Sequence, residues 1–338
     1  MAAVSCIKDN PLVDNTMDGQ ILFDTPVTSN MMKSYTGPVS DTYPTEESMG
    51  VFAYHSPLNS GQSWTSGTAV TAYFEDFEFK HRNDLSAWAG VTPCYWPTNG
   101  SLIFAGFSPY SQIGGNHIQN VSFDVDQKTL MISGYEVETY VPMTEAQMVG
   151  GSSSIYTNKC QSDLMYFLPK SDVYNNFIGS TRGSSYTADF YHALAQVVFN
   201  VEAYTEEDKN YIYLSKIVLT DMASKGDFSA QIGRTQAGNA EWTLSDGGEW
   251  KSLQVFYKES GMQLFTKQRK VVELLTIPIG EHDIKVTYCL KINEAWYEET
   301  LTYHAEWEAG KKYVYNLILG TDNIQLVPQI TTDWIKNE

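Results

Sequence analysis

The sequence has few charged residues, and few of those are basic. Charged residues make up 18% of the 338 positions, below the roughly 25% that is usual for soluble proteins. The 22 Lys and Arg residues stand against 40 Asp and Glu residues, which gives a net charge of −18. A surface of this sign repels phosphate backbones and anionic bilayers. The charge balance therefore argues against nucleic acid and lipid surfaces as partners.

Long apolar runs, clustered cysteines and catalytic motifs are also missing. No uninterrupted apolar stretch approaches the ~18 residues of a membrane-spanning helix, so we expect no transmembrane helix. Cys6, Cys94, Cys160 and Cys289 are far apart and show neither zinc spacing nor a dense disulfide framework. The sequence contains no GxSxG, HExxH, Walker or GxGxxG motif. We therefore predict a protein that is not an enzyme and has no metal site or cofactor.

Acidic residues imitate two kinds of site without completing either. Residues 14–25 begin like an EF-hand loop, but the twelfth position is Thr25 instead of the bidentate Glu. Asp124 and Asp126 lie on one face of a predicted strand, a pattern more typical of a solvated strand face than of a cation site. A hydrolase that uses two carboxylates is a third, weaker possibility, because nothing in the sequence selects a pair of acids.

The residue types that are abundant are those that favour β-sheets. The chain has 22 Tyr and 15 Phe, and Tyr, Phe, Thr and Val favour strands. Short alternating segments separated by Gly, Ser and Asn recur along most of the chain, which is typical of sandwiches and barrels rather than of βαβ units. We predict an all-β protein with a flexible segment at 1–19, an N-terminal β-sandwich at 20–178 and a C-terminal β-sandwich at 179–338.

Nine short segments follow one another in an order that is familiar from one protein family. They are Tyr95–Pro97, Leu102–Pro109, Gln161–Tyr166, His192–Val201, Ile217–Thr220, Lys225–Phe228, Trp307–Leu317, Asp322–Ile324 and Thr332–Trp334. In this order the set resembles the fimbrillin family of Gram-negative gut and oral anaerobes, the type V pilus subunits with their tip and accessory relatives. The resemblance implies two tandem transthyretin-like β-sandwiches and a non-enzymatic fimbrial or adhesion protein at the cell surface.

The resemblance also implies assembly with other fimbrial subunits by exchange of β-strands. In the family a subunit loses its first strand, and the C-terminal segment of another chain fills the groove. The added strand pairs free backbone groups and fills bare core pockets. The candidate exchange residues are Ile21, Phe23 and Val27 in the first strand (Gln20 to Val27) and Ile324, Leu326 and Ile330 in the last (Asn323 to Ile330). Pro328 lacks a backbone donor, so we expect the last strand at a sheet edge.

Two departures from the family pattern favour a tip, accessory or anchor-like subunit over a repeating stalk subunit. Family processing commonly follows an arginine in the loop after the first strand, but the first arginine here is Arg82. Lys33 is the basic residue in the expected region, so cleavage there would need a different protease. The sequence also ends four residues after Trp334, at Glu338, which leaves little dedicated donor tail.

Ala2 to Cys6 resembles the end of a bacterial lipoprotein signal peptide, in which the cysteine becomes acylated. The basic and apolar regions of a complete signal are not in this sequence. Two interpretations stay open: lipidation of Cys6, with attachment to the outer membrane, or an ordinary cysteine in a frayed terminus.

The alternative function is a surface lipoprotein that binds glycans, a hypothesis motivated by 8 Trp, 22 Tyr and 15 Phe on an acidic β-sandwich. A host or bacterial surface receptor or glycan is a further possible partner. For the aromatic motifs themselves we expect packing roles. Trp307, Tyr313 and Tyr315 are predicted to fill a core, Trp96 to pack in a rigid turn, and His192 to form a hydrogen bond at a domain interface.

Overall fold

Alternation of apolar and polar residues produces β-strands along most of the chain. The computed structural model describes residues 19–24, 43–58, 69–144, 160–169, 185–232, 240–292, 295–322 and 324–331. Within these ranges the strands are, in chain order, β1 (Leu22–Asp24), β2 (Ser48–Ser56), β3 (Thr71–Arg82), β4 (Ala87–Gly90), β5 (Ser101–Ser108), β6 (Val121–Asp124), β7 (Thr129–Tyr135), β8 (Met165–Phe167), β9 (Tyr186–Thr187), β10 (Tyr191–His192), β11 (Ala195–Ala203), β12 (Ile212–Ala223), β13 (Gly226–Gln231), β14 (Ala240–Leu244), β15 (Trp250–Gln263), β16 (Arg269–Thr276), β17 (Glu281–Ile292), β18 (Ala295–Glu306), β19 (Lys312–Leu319) and β20 (Ile324–Thr331). A 3₁₀ turn, Asp208–Asn210, precedes β12.

The N-terminal half is built on one eight-stranded sheet that folds over itself. Its strand order is β10-β8-β5-β2-β3-β4-β1-β9. Phe23 in β1 and Phe104 in β5 are separated by three intervening strands, yet their ring centroids are 5.1 Å apart. Phe167 in β8 also approaches Phe23, at 6.0 Å. The sheet therefore curls around a core of its own, which we call the first core.

A second core lies on the opposite face of β2, β5 and β8. There the four-stranded sheet β14-β13-β7-β6 packs against them. Phe107 and Ile103 from β5 meet Leu130 and Phe228 from the smaller sheet. The predicted boundary at residues 178 and 179 is crossed by this sheet, because β13 comes after it and pairs with β7, which comes before it. The division into two tandem domains stays a prediction.

The C-terminal half contains a sandwich of two four-stranded sheets, β16-β11-β19-β20 and β15-β12-β17-β18. In β17, Ile284, Val286 and Tyr288 are buried between the sheets, while the alternate residue Lys285 faces outward. This two-residue period is the one that a strand with one core face requires. The aromatic side chains predicted to fill a core do so: Trp307, Tyr313 and Tyr315 are buried in this third core.

Buried polar groups connect the two halves. The Gln161 side chain, 2% exposed, donates to the backbone oxygen of Leu275 at 3.0 Å and accepts the Leu275 N–H at 2.9 Å. Since β16 is an edge strand, this amide replaces a missing ladder partner. His192, in β10 of the eight-stranded sheet, is also buried, with its Nδ1 2.9 Å from Asp163 Oδ2. Pairing of this kind is what buried polar groups require. The position of His192 at a domain interface stays a prediction.

These observations confirm the all-β prediction and the β-sandwich architecture. Trp96 is buried in the first core, as predicted for a packing role. Among the described residues, no helix has the length and apolar character needed to cross a membrane.

We expect Gln161→Met to lower the free energy of unfolding by roughly 1–3 kcal/mol, because the N–H and C=O of Leu275 would stay buried without their partner. Urea denaturation measures this. Gln119→Met is the matched control, since that amide makes an exposed bond to the His117 carbonyl. Equal effects of the two substitutions would contradict the connecting role of Gln161.

Candidate functional site

The side chains of the predicted first strand fill the first core. Ile21 and Phe23 are both fully buried. The Phe23 ring has edge contacts to Phe79 at 4.8 Å and to Tyr186 at 5.6 Å, in addition to Phe104 and Phe167. Burial of one such side chain is worth roughly 1.5–3 kcal/mol. Ile21, directly before β1, and Phe23, within β1, therefore fill the core of the curled sheet.

The backbone of β1 is paired on both sides. Phe23 pairs with Trp88 of β4 in antiparallel register and with Tyr186 of β9 in parallel register. The pairing extends past the strand ends, because the Ile21 N–H donates to the Cys94 carbonyl and the Ala188 N–H to the Asp24 carbonyl, both at 2.9 Å. Removal of β1 would leave a groove with free backbone groups on both walls and an apolar floor. We call this place in the sheet the β1 seat.

A carboxylate lies beside the β1 seat in an unfavourable environment. The Trp88 indole donates to the Glu47 carbonyl at 3.2 Å. Burial, as the largest cause, and the negative charges of Glu46, Asp163 and Glu138 together raise the pKa of the Glu47 carboxyl from 4.5 to about 7. Tyr43, which stacks on Phe190 and contacts Trp88, has its pKa raised mainly by burial. Charge is disfavoured at this end of the first core.

The last strand, β20, lies at the free edge of its sheet, as the proline predicted. It pairs with β19 over its whole length, with Leu326 opposite Leu317 and Pro328 opposite Tyr315. Ile324 and Leu326 point toward the third core and are only partly buried there. The strand is thus held by one ladder and by half-buried side chains.

The structure places four of the six candidate exchange residues with their side chains. Ile21 and Phe23 lie in the first core, and Ile324 and Leu326 lie at the rim of the third. For Ile330 the described feature is its backbone pairing with Tyr313. Val27, the lipidation candidate Cys6, the processing candidate Lys33 and the EF-hand-like residues 14–18 and 25 lie outside the described residues.

Sequence patterns missed the partners of β1. The strands β4 and β9 are four and two residues long, too short to show a period. The aromatic residues at Trp88 and Tyr186 were a usable signal, because β1 itself carries an aromatic residue that needs aromatic neighbours.

A cleft of about 220 Å³ on the sheet β14-β13-β7-β6 contains two carboxylates, Asp124 and Glu241. Asp124 Oδ1 accepts the backbone N–H of Gln127 at 2.8 Å. A general acid needs an apolar environment that raises its pKa, whereas Gln231, Ser229 and Gln127 line this cleft. No cluster of three or more metal-ligating side chains occurs in the described ranges. The cleft thus offers polar contacts without the environment of an acid catalyst.

Comparison with known proteins gives one extended match. A family model described as fimbrillin-like matches residues 39–334. No curated protein sequence matches the chain.

Solved structures with a similar arrangement include a candidate cell adhesion protein from Bacteroides uniformis, with 13% identity, coverage of 94% of this chain and 99% of that chain, and a TM-score of 0.48. A fimbrial assembly protein from Parabacteroides distasonis has 12% identity, coverage of 92% and 97%, and a TM-score of 0.40. The tip fimbrial protein Mfa3 from Porphyromonas gingivalis, truncated at its C-terminus, has 7% identity, coverage of 84% and 93%, and a TM-score of 0.35.

We expect Phe23→Ala to lower the free energy of unfolding by about 3–5 kcal/mol, because it leaves a cavity among four aromatic rings. Leu22→Ala is the matched control, since Leu22 is in the same strand but is only partly buried. Urea or thermal denaturation of both variants measures the difference. If Leu22→Ala costs as much as Phe23→Ala, the side chain of Phe23 is not the plug of the first core.

The raised pKa of Glu47 predicts a pH dependence of stability. Between about pH 4.5 and 7 the folded state holds a proton that the unfolded state has lost, so the free energy of unfolding falls as pH rises through this window. Glu47→Gln should therefore stabilise the protein at about pH 8 and change little at about pH 4. Denaturation at both pH values measures this, with Glu259→Gln as control, because Glu259 is exposed and its charge does not contribute to the raised pKa of Glu47. A stabilisation by Glu47→Gln that is the same at both pH values would contradict the assignment.

Proposed function

This chain belongs to the fimbrillin-like family, and on that basis we propose that it is a cell-surface fimbrial protein that assembles with other subunits by exchange of terminal β-strands. The observation that carries the proposal is the β1 seat. There a three-residue strand, with the residue before it, fills a core whose other described members come from later parts of the chain. In this proposal the protein acts by binding and assembly and catalyses no reaction.

The first step of the argument is that β1 can be replaced without loss of the rest of the fold. β1 and the residue before it contribute Phe23 and Ile21 to the first core, and all other members of that core among the described residues come from residue 43 onward. Of its two wall strands, β4 is also paired with β3. Among the described strands β9 pairs with β1 alone, but its Tyr186 also packs against Phe104 and Phe167 in the first core. Loss of β1 would leave a groove with unpaired backbone groups and two empty core positions. A strand from another chain could pair with those groups and fill the two positions with its side chains.

The second step is that β20 has the form of a donor. Ile324 and Leu326 have the same two-residue spacing as Ile21 and Phe23, so both pairs point to one face of a strand. In their own sandwich Ile324 and Leu326 are partly buried, whereas the equivalent positions in the β1 seat are fully buried. Movement into a vacant seat would therefore bury more apolar surface per residue.

Position in the cell follows from the same proposal. We place the protein on the outer face of the cell, in a fimbrium, as a tip or accessory subunit. Lipidation of Cys6 would attach it to the outer membrane, and cleavage after Lys33 would release the segment that contains β1. A receptor or glycan at the host or bacterial surface would be its further partner.

Cleavage within the segment from Ser29 to Gly37 should convert the monomer into oligomers. A protease site placed there allows the cut to be made after folding, and light scattering coupled to size-exclusion chromatography measures the mass before and after. The cut protein, but not the intact one, should also bind a synthetic peptide of residues 323–334. A peptide with Asp at positions 324 and 326 should not bind, because charges cannot enter the apolar floor of the seat.

The matched control is a cut between Gly114 and Gly115, a turn whose glycines have no neighbour near an added Cβ. This cut should leave the protein monomeric. A protein that is cut after β1 and remains a stable monomer without affinity for the peptide would refute strand exchange here.

A further inference from the structure

The outer face of the sheet β15-β12-β17-β18 carries lysines and aromatic residues together. Strand register places them on one side: Lys291 pairs with Trp296, Lys216 pairs with both Thr287 and Tyr257, and Tyr213 pairs with Cys289. Lys285 lies two residues before Thr287 on the same face of β17. We call this surface the lysine–aromatic face; its members are Tyr213, Lys216, Tyr257, Lys285, Lys291 and Trp296.

The aromatic side chains of the lysine–aromatic face are exposed to solvent, and contacts with their neighbours fix the orientation of Tyr213. Trp296 is 51% exposed and Tyr257 is 55% exposed. Tyr213 meets Trp296 edge-on, with ring centroids 5.0 Å apart. Gly261 allows this arrangement, because its φ is +69° and an added Cβ would lie 2.7 Å from the Tyr213 Cβ. Tyr213 is thus held between the β15 backbone and the indole ring.

The lysines of this face have no carboxylate partner among the described residues, although the chain contains 40 acidic residues. Elsewhere, Lys80, Lys270 and Lys311 each lie within ion-pair distance of a glutamate. The ammonium group of Lys291 instead lies 5.8 Å from the centroid of the Trp296 ring. These ammonium groups are available to an anionic ligand that reaches the aromatic rings.

The remaining side chains of the face favour a carbohydrate over a protein. Thr300 and Thr302, which lie opposite Thr287 and Lys285, are exposed and offer hydroxyl groups. Thr287 itself is buried, and its hydroxyl is bonded to that of Thr300. The cores of protein interfaces are depleted in lysine, whereas here lysine is a main component. An exposed aromatic ring presents a negative face to the C–H groups of a sugar ring, and a lysine beside it can pair with a sugar carboxylate.

The net charge of the protein limits how densely charged an anionic ligand of this face can be. Its net charge of −18 repels dense polyanions, and Glu298 projects from the same face opposite Cys289. Duplex DNA carries about one charge per 1.7 Å, so it is a poor partner for this surface. We propose that the lysine–aromatic face binds an acidic polysaccharide of low charge density, in which carboxylates are separated by uncharged sugar units. The face belongs to a sheet that contains neither β1 nor β20, so its function is separable from strand exchange.

Isothermal titration calorimetry of the intact protein tests this with two probes, hyaluronan and a partly methylated pectin. We expect at least one of them to bind, and Trp296→Ala and Lys291→Ala each to weaken that binding by about tenfold. Added salt should weaken the wild-type interaction and have less effect on Lys291→Ala.

Trp250→Ala and Lys251→Ala are the matched controls. Trp250 is 48% exposed, close to the value for Trp296, and both residues lie at the opposite end of the same sheet. These variants should bind as the wild type does. Absence of binding to both probes, equal loss in the control variants, equal binding of neutral dextran or tighter binding of duplex DNA would each overturn the proposal. Self-association that Trp296→Ala abolishes would also overturn it, because the face would then be a contact between copies of this chain.

Discussion

The burial of β5 on both faces is the constraint on which the N-terminal half depends. All eight of its residues are buried. One set of alternate side chains, including Leu102 and Phe104, faces the first core, and the other, including Ile103 and Phe107, faces the second. A strand with two apolar faces needs a covering layer on each side. The curl of the large sheet supplies one layer, and the sheet β14-β13-β7-β6 supplies the other.

The terminal strands are held in different ways because their surroundings differ. β1 is short, so its backbone pairing alone is weak, and its position is fixed by the fully buried side chains of Ile21 and Phe23. β20 is longer and has eight paired residues, but one side of its backbone is an open edge. In the proposed exchange, a strand anchored by its side chains would be replaced by another with the same spacing of apolar residues. A strand anchored by one ladder can leave with little disturbance of the core.

Local patterns in the sequence were sufficient for the strand content, for the edge position of β20 and for the core roles of Trp307, Tyr313 and Tyr315. Each of these depends on residues close in the chain: a two-residue period, a proline without an N–H, or an aromatic residue within a strand. The pairing of β1 with β4 and β9 could not be predicted in this way. It joins residues more than sixty positions apart, and strands of two to four residues carry no periodic signal.

The lysine–aromatic face could be predicted from the sequence only in part. Lys291 and Trp296 face each other across the hairpin of β17 and β18, so a hairpin register drawn from the sequence would have brought that pair together. Tyr213 and Lys216 belong to a strand about 70 residues earlier, and irregularities in its pairing shift their register. Their place on the same face depends on the folded sheet.

The pairing of β13 with β7 has a consequence for the way the polypeptide matures. During synthesis from the N-terminus, the outer surfaces of β2 and β5 emerge long before the β13–β14 hairpin that helps to cover them. The side chains of Phe52 and Tyr54 therefore become fully buried only after residues 226–244 have been synthesised and have paired. Contacts of such long sequence separation slow folding and leave apolar surface open to aggregation in the meantime. The nascent chain consequently exposes this apolar surface until both halves have been made.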